Sequence, residues 1–358
     1  MIEAIVKEIA ISPSLFQQQK DAAKQDKEII STLYFGGGTP SILNSDELKL
    51  IFDALHKRFV FTNDVEITLE ANPDDITDAK LEEWKGMGIN RLSVGIQSFV
   101  EAELVWMNRA HNAAESILCI DKIKKAGFTN YSVDLIYGSP LLSNEDWKRN
   151  VDIVIEKKIP HISCYALTVE PKTALDKMIA QHKKENVDAE KQASQFLLLM
   201  DWMQQAGYEH YEISNFAKPG IRSKHNSSYW SQTPAGSGEP YYAFGPAAHA
   251  FDGNRRKWNV ANNSLYIQSL QNDIIPFEEE VLTKTQQLNE YIMTSLRTME
   301  GLDLDFVSKN FGDKETYKIT VTAGKYVSAG KVKMANGKLI LTKEGKLFAD
   351  GIAADLFS

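Results

Sequence analysis

The chain has 358 residues, of which 43% are hydrophobic and 25% are charged. This composition is typical of a globular protein and excludes a disordered or fibrous one. The net charge of −8 indicates no nucleic-acid-binding surface, and no apolar run approaches the roughly 20 residues that span a bilayer. The first residues, MIEAIVKEIA, mix charged and hydrophobic side chains without the features of a signal peptide. We therefore expect a cytoplasmic protein without a transmembrane segment or a nucleic-acid partner.

Cysteine is rare in this chain, which contains only Cys119 and Cys164. Two thiols cannot build a disulfide framework, and they cannot alone supply the thiolates of an iron–sulfur cluster. Cys119 falls in a helix pattern and Cys164 in a strand pattern, and neither stands in CxxC spacing. We expect both to be buried and no metal site to form on them.

Helix and strand patterns alternate over the first half of the chain. Ile2, Ile5, Val6 and Ile9 recur at helical spacing, so a helix is predicted almost from the first residue. The units that follow are about 30 residues long, as in a parallel sheet with helical crossovers. The predicted strands lie at 32–35, 65–69, 91–94, 131–134 and 162–166. This pattern predicts an α/β barrel or part of one.

The pattern changes at about residue 280. Helical segments at 284–299 and 304–311 precede Asn336-Gly337, which lies between two short apolar runs and predicts a hairpin. A last amphipathic helix is predicted at 346–357. Helices with one hairpin favour a small winged-helix-like domain with balanced charges, so we divide the chain into a barrel domain, 1–275, and a C-terminal domain, 276–358.

Polar residues follow several of the predicted strands, at the end where parallel sheets bind ligands. They are the glycine run 36–38, Glu70, Gln97 and Asp134. The glycine run allows backbone to approach a ligand closely, or it forms a tight turn only. Glu70 could bind hydroxyls or an ammonium, or be an ordinary loop carboxylate, and Arg109 could face the same strand end or solvent. For Asp134, inside an apolar strand, a functional role is favoured.

A second group of candidates combines histidine with large aromatic residues. His225, Tyr229 and Trp230 occur together, and His249 follows in a loop-rich region. Imidazole beside tyrosine and tryptophan suits a flat aromatic ligand with a metal centre. The alternative is that each histidine has a structural role or lies on the surface.

Several of these segments, taken in order, resemble the radical S-adenosylmethionine (SAM) family of oxygen-independent coproporphyrinogen III oxidases. The resemblance covers nearly the whole chain and is closest to the heme-chaperone branch of that family. The segments that carry it are YFGGGTPSIL (34–43), EITLEANPDDIT (66–77), NRLSVGIQSF (90–99), NRAHN (108–112), YSVDLIYGSP (131–140), EISNFAKPG (212–220), HNSSYW (225–230) and FGPAAHAFDG (244–253).

The resemblance implies a partial (β/α)6 barrel followed by a small winged-helix-like domain. It also implies a SAM pocket in which Gly37, Gly38 and Thr39 hold the methionine end. The residues that would complete this pocket are Glu70, Gln97, Arg109, Asp134 and Ala166. In the chaperone branch, the HNxxYW motif is associated with the heme-related function. Which atom would contact iron, among candidates that include His225 and His249, stays open.

The chain departs from the family in one respect. Members carry a CxxxCxxC motif on a first strand, whose thiolates hold a [4Fe–4S] cluster, and this chain has no such motif. We therefore expect a barrel without that strand and no cluster on this chain's residues, whether through true loss or a truncated start.

Three functions remain open on the sequence. The first is a heme chaperone that binds heme and SAM and delivers heme to acceptor proteins. The second is an oxidase that decarboxylates coproporphyrinogen III by SAM-derived radical chemistry. The third is a cluster-less protein that binds a tetrapyrrole or SAM only. The HNSSYW segment favours the chaperone, and whether the chain is an enzyme stays undecided.

Overall fold

A computed structural model describes residues 1–14, 27–233 and 236–358 of the chain. The helices are α1 (Ile2–Ile11), α2 (Ser45–Arg58), α3 (Asp78–Gly86), α4 (Glu101–Trp106), α5 (Ala113–Lys125), α6 (Asn144–Glu156), α7 (Ala174–Ala180), α8 (Ala189–Gln205), α9 (Lys224–Ser228), α10 (Asn263–Gln271), α11 (Lys284–Leu296), α12 (Leu304–Phe311), α13 (Asp313–Ser328) and α14 (Ala349–Asp355). The strands are β1 (Glu28–Phe35), β2 (Phe59–Ala71), β3 (Arg91–Gln97), β4 (Tyr131–Tyr137), β5 (His161–Ala166), β6 (Glu209–Glu212), β7 (Asn215–Ala217), β8 (Gln232–Thr233), β9 (Gly236–Ser237), β10 (His249–Phe251), β11 (Arg255–Asn259), β12 (Phe277–Val281), β13 (Leu302–Asp303), β14 (Val332–Ala335) and β15 (Lys338–Leu341).

The main sheet has the strand order β1-β2-β3-β4-β5-β7-β6. Strands β1 to β5 pair in parallel with their neighbours, and β7 runs antiparallel to both β5 and β6. The predicted alternation of strands and helices is thereby confirmed. Within the described residues, β1 is an edge strand of this sheet.

One face of this sheet is apolar because side chains alternate along each strand. The side chains on this face are almost fully buried under the crossover helices: Ile67 and Leu69 on β2, Leu92 and Val94 on β3, Val133 and Leu135 on β4, and Ile162 on β5. Each such side chain stabilises the fold by about 2 kcal/mol.

The opposite, concave face of the sheet is polar. It carries Glu66, Thr68 and Glu70 on β2, Arg91 and Ser93 on β3, Ser132 and Asp134 on β4, and His161 and Ser163 on β5. Polar contacts connect neighbouring strands, and Ser93 Oγ lies 2.9 Å from Ser132 Oγ. Because buried polar groups are costly when unpaired, a face built this way suits a binding cavity better than a packed core.

Helix α1 is attached to a distant part of the chain through one buried carboxylate. Glu8 accepts hydrogen bonds from Gly245 N at 2.8 Å and from Asn259 Nδ2 at 2.6 Å, and a third from the Tyr266 hydroxyl. Burial raises the pKa of Glu8. The segment that follows α9 therefore folds back over the start of the barrel.

The C-terminal part has its own core, formed by α11 to α14 and the sheet β13-β15-β14. The predicted hairpin is confirmed: Asn336 and Gly337 both have positive φ, 51° and 73°, as a two-residue type I′ turn requires. The last α-helix begins at Ala349, after one 3-10 turn at 345–348, and not at residue 346 as predicted. A Cβ on Gly345 would lie 1.8 Å from the Lys331 carbonyl oxygen, so this turn is held close to β14.

The division of the chain after residue 275 stays a prediction. No helix within the described residues is both long enough and apolar enough to cross a bilayer.

Candidate cofactor and heme sites

Glu70 organises the glycine-rich loop at the carboxyl end of β1. Its carboxylate accepts a hydrogen bond from the Tyr34 hydroxyl at 2.7 Å and another from Gly37 N at 3.1 Å. A Cβ on Gly36 would lie 2.6 Å from the Tyr34 ring and 3.0 Å from Glu70 Oε1, so only glycine fits at this position. Gly37, with φ of 97°, has open space around it. The loop therefore offers backbone to a ligand beside one carboxylate.

Arg109 and Gln97 meet at the end of β3. Arg109 Nη2 donates to Asn72 Oδ1 and to the Gly95 carbonyl, both at 3.1 Å. A Cβ on Gly95 would lie 3.0 Å from Gln97 Nε2 and 3.6 Å from Arg109 Nη2. Gln97 adopts a φ of 68°, which a non-glycine residue reaches only at a cost. Arg109 Nε is buried and has no hydrogen-bond partner within the described residues.

Asp134 faces the same interior as Glu70. Burial and the negative charge of Glu70 raise the pKa of Asp134 to about 7, while Arg91 and a hydrogen bond with Ser163 act in the opposite direction. A carboxyl with this pKa becomes negative readily when a cation approaches. The interior is therefore suited to a ligand that carries positive charge.

The remaining residues expected in the SAM pocket occupy different positions. Thr39 has a φ of 27° and begins the 3-10 turn at 40–42, while Gly38 has open space around it. Ala166 lies at the end of β5, and its side chain packs against the apolar core under the helices. Only the backbone of Ala166 is thus directed to the strand ends, whereas Glu70, Gln97, Arg109 and Asp134 present side chains there.

Helix α9, which contains most of the HNSSYW segment, is held on the polar face by Glu66. The Glu66 carboxylate accepts hydrogen bonds from His225 N at 3.0 Å and Lys224 N at 3.2 Å. The Ser223 hydroxyl donates a third at 3.3 Å. Arg91 Nε lies 4.0 Å from Glu66 Oε2, and both side chains are almost fully buried. A buried ion pair therefore fixes the start of α9 to β2 and β3.

The ring of His225 is enclosed by β1 and by its own helix. Nδ1 lies 3.0 Å from Thr32 Oγ1, and Nε2 lies 3.1 Å from the Tyr229 hydroxyl. The ring stacks on Tyr34 at a centroid distance of 4.7 Å. Burial lowers the pKa of His225 to about 4, so the ring is neutral. With both nitrogens engaged, this imidazole binds iron only if it exchanges one of these partners.

His249 lies on β10 and has a different environment. It is exposed, and its ring stacks with Trp258 at a centroid distance of 6.2 Å. No hydrogen bond or ion pair within the described residues engages its ring nitrogens. The two rings line an open groove of about 580 Å³, whose other side chains include Val260, Ile274, Pro276 and Phe277. An available imidazole therefore lies in an apolar and aromatic groove.

Aromatic contacts connect α9 to β10. The Tyr229 ring contacts Tyr241 at 5.0 Å, and Tyr241 contacts Phe251 at 6.2 Å. The backbones of Tyr241 and Phe251 exchange hydrogen bonds of 2.8 and 3.0 Å. Trp230 ends the segment with a buried Nε1 that has no hydrogen-bond partner within the described residues. The structure thus groups His225, Tyr229 and Trp230, and links them to the strand of His249.

Tyr34, Glu66 and Arg91 are not among the predicted site residues, although they hold the two groups of candidates in place. A signal for them was present, because polar residues recur at every second position in 66–70 and 91–97. Such alternation indicates a strand with one polar face that is open to solvent or to a ligand.

The cysteines of this chain do not fit a [4Fe–4S] cluster. Cys119 on α5 and Cys164 on β5 are both buried, and burial raises the pKa of the Cys119 thiol to about 12 and that of Cys164 well above its usual value. Neither is therefore a ready thiolate. Within the described ranges, no group of three His, Cys, Asp or Glu residues could hold a metal ion.

Comparisons with known proteins agree with these features. The family model of the radical SAM superfamily matches residues 4–169, and that of the HemN C-terminal domain matches residues 282–348. The heme chaperone HemW of Bacillus subtilis (strain 168) is 30% identical over 332 residues, which are 92% of this chain and 86% of that protein. The heme chaperone HemW of Mycobacterium tuberculosis (strain CDC 1551 / Oshkosh) is 31% identical over 336 residues, 94% and 83% of the two chains.

A solved structure confirms the fold. Coproporphyrinogen III oxidase (HemN) from Escherichia coli, described as a radical SAM enzyme, superposes with a TM-score of 0.82 at 21% sequence identity, over 100% of this chain and 82% of that chain. The expected partial barrel is thereby confirmed as a curled half-barrel followed by a C-terminal helical domain, and membership of the superfamily implies SAM and a [4Fe–4S] cluster for the family as a whole. With the two relatives above, these matches show that the chain belongs to the HemW family within the radical SAM superfamily.

Proposed function

We propose that this protein is a heme chaperone, which binds heme and SAM and passes heme to acceptor proteins in the cytoplasm. The observation that carries the proposal is the similarity to proteins named heme chaperone HemW over 92% of the chain. The oxidase alternative has weaker support, because the 21% identity to HemN concerns the fold only.

SAM is the ligand that we assign to the carboxyl ends of β1 to β4. SAM carries an ammonium, a sulfonium and a carboxylate, so its binding site needs both negatively and positively charged protein groups. Glu70 and Asp134 supply negative charge, and Arg109 has one donor still unpaired. The backbone at Gly37 and Gly38 is open to the methionine end. SAM chemistry that depends on a cluster is outside this proposal, since the residues of this chain do not supply the ligands.

Heme is assigned to the groove at His249. The free imidazole would bind the iron, and Trp258 with the apolar residues of the groove would cover the porphyrin plane. His225 is buried and doubly hydrogen-bonded, so we assign it a positioning role: it holds α9, whose Tyr229 packs towards β10.

A heme titration of the full chain tests this proposal. We expect a saturable Soret band at one heme per chain, followed by transfer of heme to an apo-acceptor protein. His249→Leu should weaken binding about tenfold or more and shift the Soret maximum, because an axial ligand is lost. His182→Ala, at an exposed histidine outside the groove, is the matched control.

Two results would contradict the proposal. The first is the absence of a saturable Soret band. The second is anaerobic turnover of coproporphyrinogen III by the chain, which would favour the oxidase alternative.

A further inference from the structure

A second cavity lies where the C-terminal domain meets the barrel, on the side of α8. Its volume is about 440 Å³. Its lining residues come from α8 and β6 of the barrel and from β14, β15 and the 3-10 turn of the C-terminal domain: Met200, Gln204, Tyr208, His210, Lys333, Leu341, Thr342, Lys343 and Lys346. The C-terminal domain thus contributes three lysines to the lining, and both parts of the chain contribute apolar or aromatic groups.

The hydrogen bonds of His210 fix the state of the nearest lysine. His210 Nε2 lies 2.8 Å from the Ile213 carbonyl oxygen, to which it donates. Its Nδ1, 2.8 Å from Lys346 Nζ, is therefore an acceptor. Burial lowers the pKa of His210 to about 3, so the ring is neutral. The ammonium of Lys346 is hydrogen-bonded to an uncharged ring and not to a carboxylate.

No acidic side chain forms an ion pair with this ammonium within the described residues. Asp201 is paired with Lys343. The Glu212 carboxylate is held by Arg297 Nε at 3.1 Å and by Asn215 Nδ2 at 2.6 Å. Lys333 is exposed and makes no hydrogen bond or ion pair within the described residues. Lys333 and Lys346 therefore line the cavity without forming an ion pair within the described residues.

Burial has the largest effect on the charge state of Lys346. Burial lowers the pKa of Lys346 to about 8; the charge of Glu212 acts in the opposite direction, and the charge of Lys333 adds a smaller lowering effect. An anion bound in the cavity would favour the charged form of Lys346.

We propose that this cavity is a binding site for a small organic molecule that carries a phosphate group. Two lysines without acidic partners match the charge of a phosphate dianion. Met200, Leu341 and the Tyr208 ring leave room for an apolar or aromatic part of the ligand. The site is separate from the strand ends and from the His249 groove. A test of this proposal is therefore independent of a test of the proposed heme function.

Pyridoxal 5′-phosphate is a suitable probe because it combines an aromatic ring, a phosphate and an aldehyde. In this probe reaction, the amine nitrogen of Lys346 attacks the aldehyde carbon and water leaves, and hydride from borohydride then reduces the imine to a stable secondary amine. Peptide mapping by mass spectrometry locates the label. At about pH 7.5 we expect Lys346 to be labelled at least about tenfold faster than Lys338, because more of it is unprotonated.

Competition with inorganic phosphate, measured in the unaltered protein and in two lysine variants, distinguishes a phosphate-binding site from a lysine that is reactive for another reason. Inorganic phosphate at millimolar concentration should protect Lys346, and Lys333→Gln should weaken that protection several-fold. Lys338→Gln, on the same hairpin but paired with Asp303, should leave protection unchanged. Labelling of Lys346 no faster than that of Lys338, or labelling that phosphate does not reduce, would overturn the proposal. Protection by phosphate that is equal in the Lys333→Gln variant would overturn it also.

Discussion

The hydroxyl of Tyr34 donates a hydrogen bond to Glu70 at 2.7 Å, while the ring of Tyr34 stacks on His225 at a centroid distance of 4.7 Å. One side chain on β1 therefore contacts both the carboxylate of the proposed SAM site and the imidazole of the HNSSYW segment. The two contacts involve different parts of the residue, so substitutions can separate them.

Tyr34→Phe should weaken SAM binding about fivefold, because Glu70 loses a donor worth about 1 kcal/mol. Heme binding should change little, since the stacked ring remains. Tyr34→Leu should weaken both. Isothermal titration calorimetry for SAM and Soret titration for heme measure these effects, with the exposed Tyr317→Phe as the control. Equal SAM affinity in the Phe variant and the unaltered protein would show that Glu70 does not contact the ligand.

The affinity for SAM should rise with pH between about pH 6 and about pH 8. The pKa of Asp134 is about 7, so its carboxyl becomes negative over this interval and then attracts the cationic ligand. Asp134→Asn should remove most of this dependence. A pH dependence that persists unchanged in the Asn variant would exclude Asp134 as its source.

The same carboxyl should influence stability. Its pKa in the folded protein is about 7, above that of an unfolded aspartate at about 3.9. Between these values the folded state holds the extra proton, so stability falls as the pH rises from about 4 to about 7. Urea unfolding at several pH values should show a flatter dependence for Asp134→Asn.

Arg91→Met should lower the free energy of unfolding by about 3 kcal/mol, because it leaves Glu66 buried without its ion partner. Lys224→Gln is the matched control, since Lys224 pairs with Asp64 in the same region but both side chains are exposed. Its effect should stay below about 1 kcal/mol. Urea unfolding measures both effects. A similar decrease in the free energy of unfolding for the two variants would indicate that burial does not make the Glu66–Arg91 pair more important than an exposed pair.

Tyr229→Phe distinguishes the two histidines as heme ligands. If Nε2 of His225 bound iron, removal of the competing hydroxyl would tighten heme binding about fivefold. Because we assign the iron ligand to His249, we expect Tyr229→Phe to leave heme affinity unchanged and His249→Leu to lower it. Tighter heme binding by Tyr229→Phe would indicate that His225, and not His249, binds the iron.

Much of the barrel could be predicted because its signals are local. Each parallel strand is a short apolar run that ends at a glycine, proline or polar residue, and the carboxyl ends of such strands lie at one rim. Glu70, Gln97 and Asp134 could thus be grouped without coordinates, and the structure places them on that side of the sheet.

Other features depend on contacts between distant residues. The ion pair of Glu66 with Arg91 joins two neighbouring strands, and the stacking of Tyr34 on His225 joins segments far apart in the chain; no local pattern specifies such partners. Helix α13 was not predicted, because 313–328 is rich in β-branched residues that favour strands. It is stabilised by Ile319 and Ala323, which pack into the core of the C-terminal domain.

The attachment of α1 by Glu8 affects the order in which the protein can fold. The groups that bind this carboxylate, at Gly245, Asn259 and Tyr266, lie 237 to 258 residues further along the chain. The apolar side chains of α1, Ile9 among them, share a hydrophobic cluster with Ile51 and Leu55 of the neighbouring α2. The buried carboxylate of Glu8, in contrast, gains its hydrogen-bond partners only after most of the polypeptide has left the ribosome. Closing so long a loop is slow, and we expect α1 to be more sensitive to proteolysis in nascent chains that stop before residue 245, because Glu8 then lacks these partners.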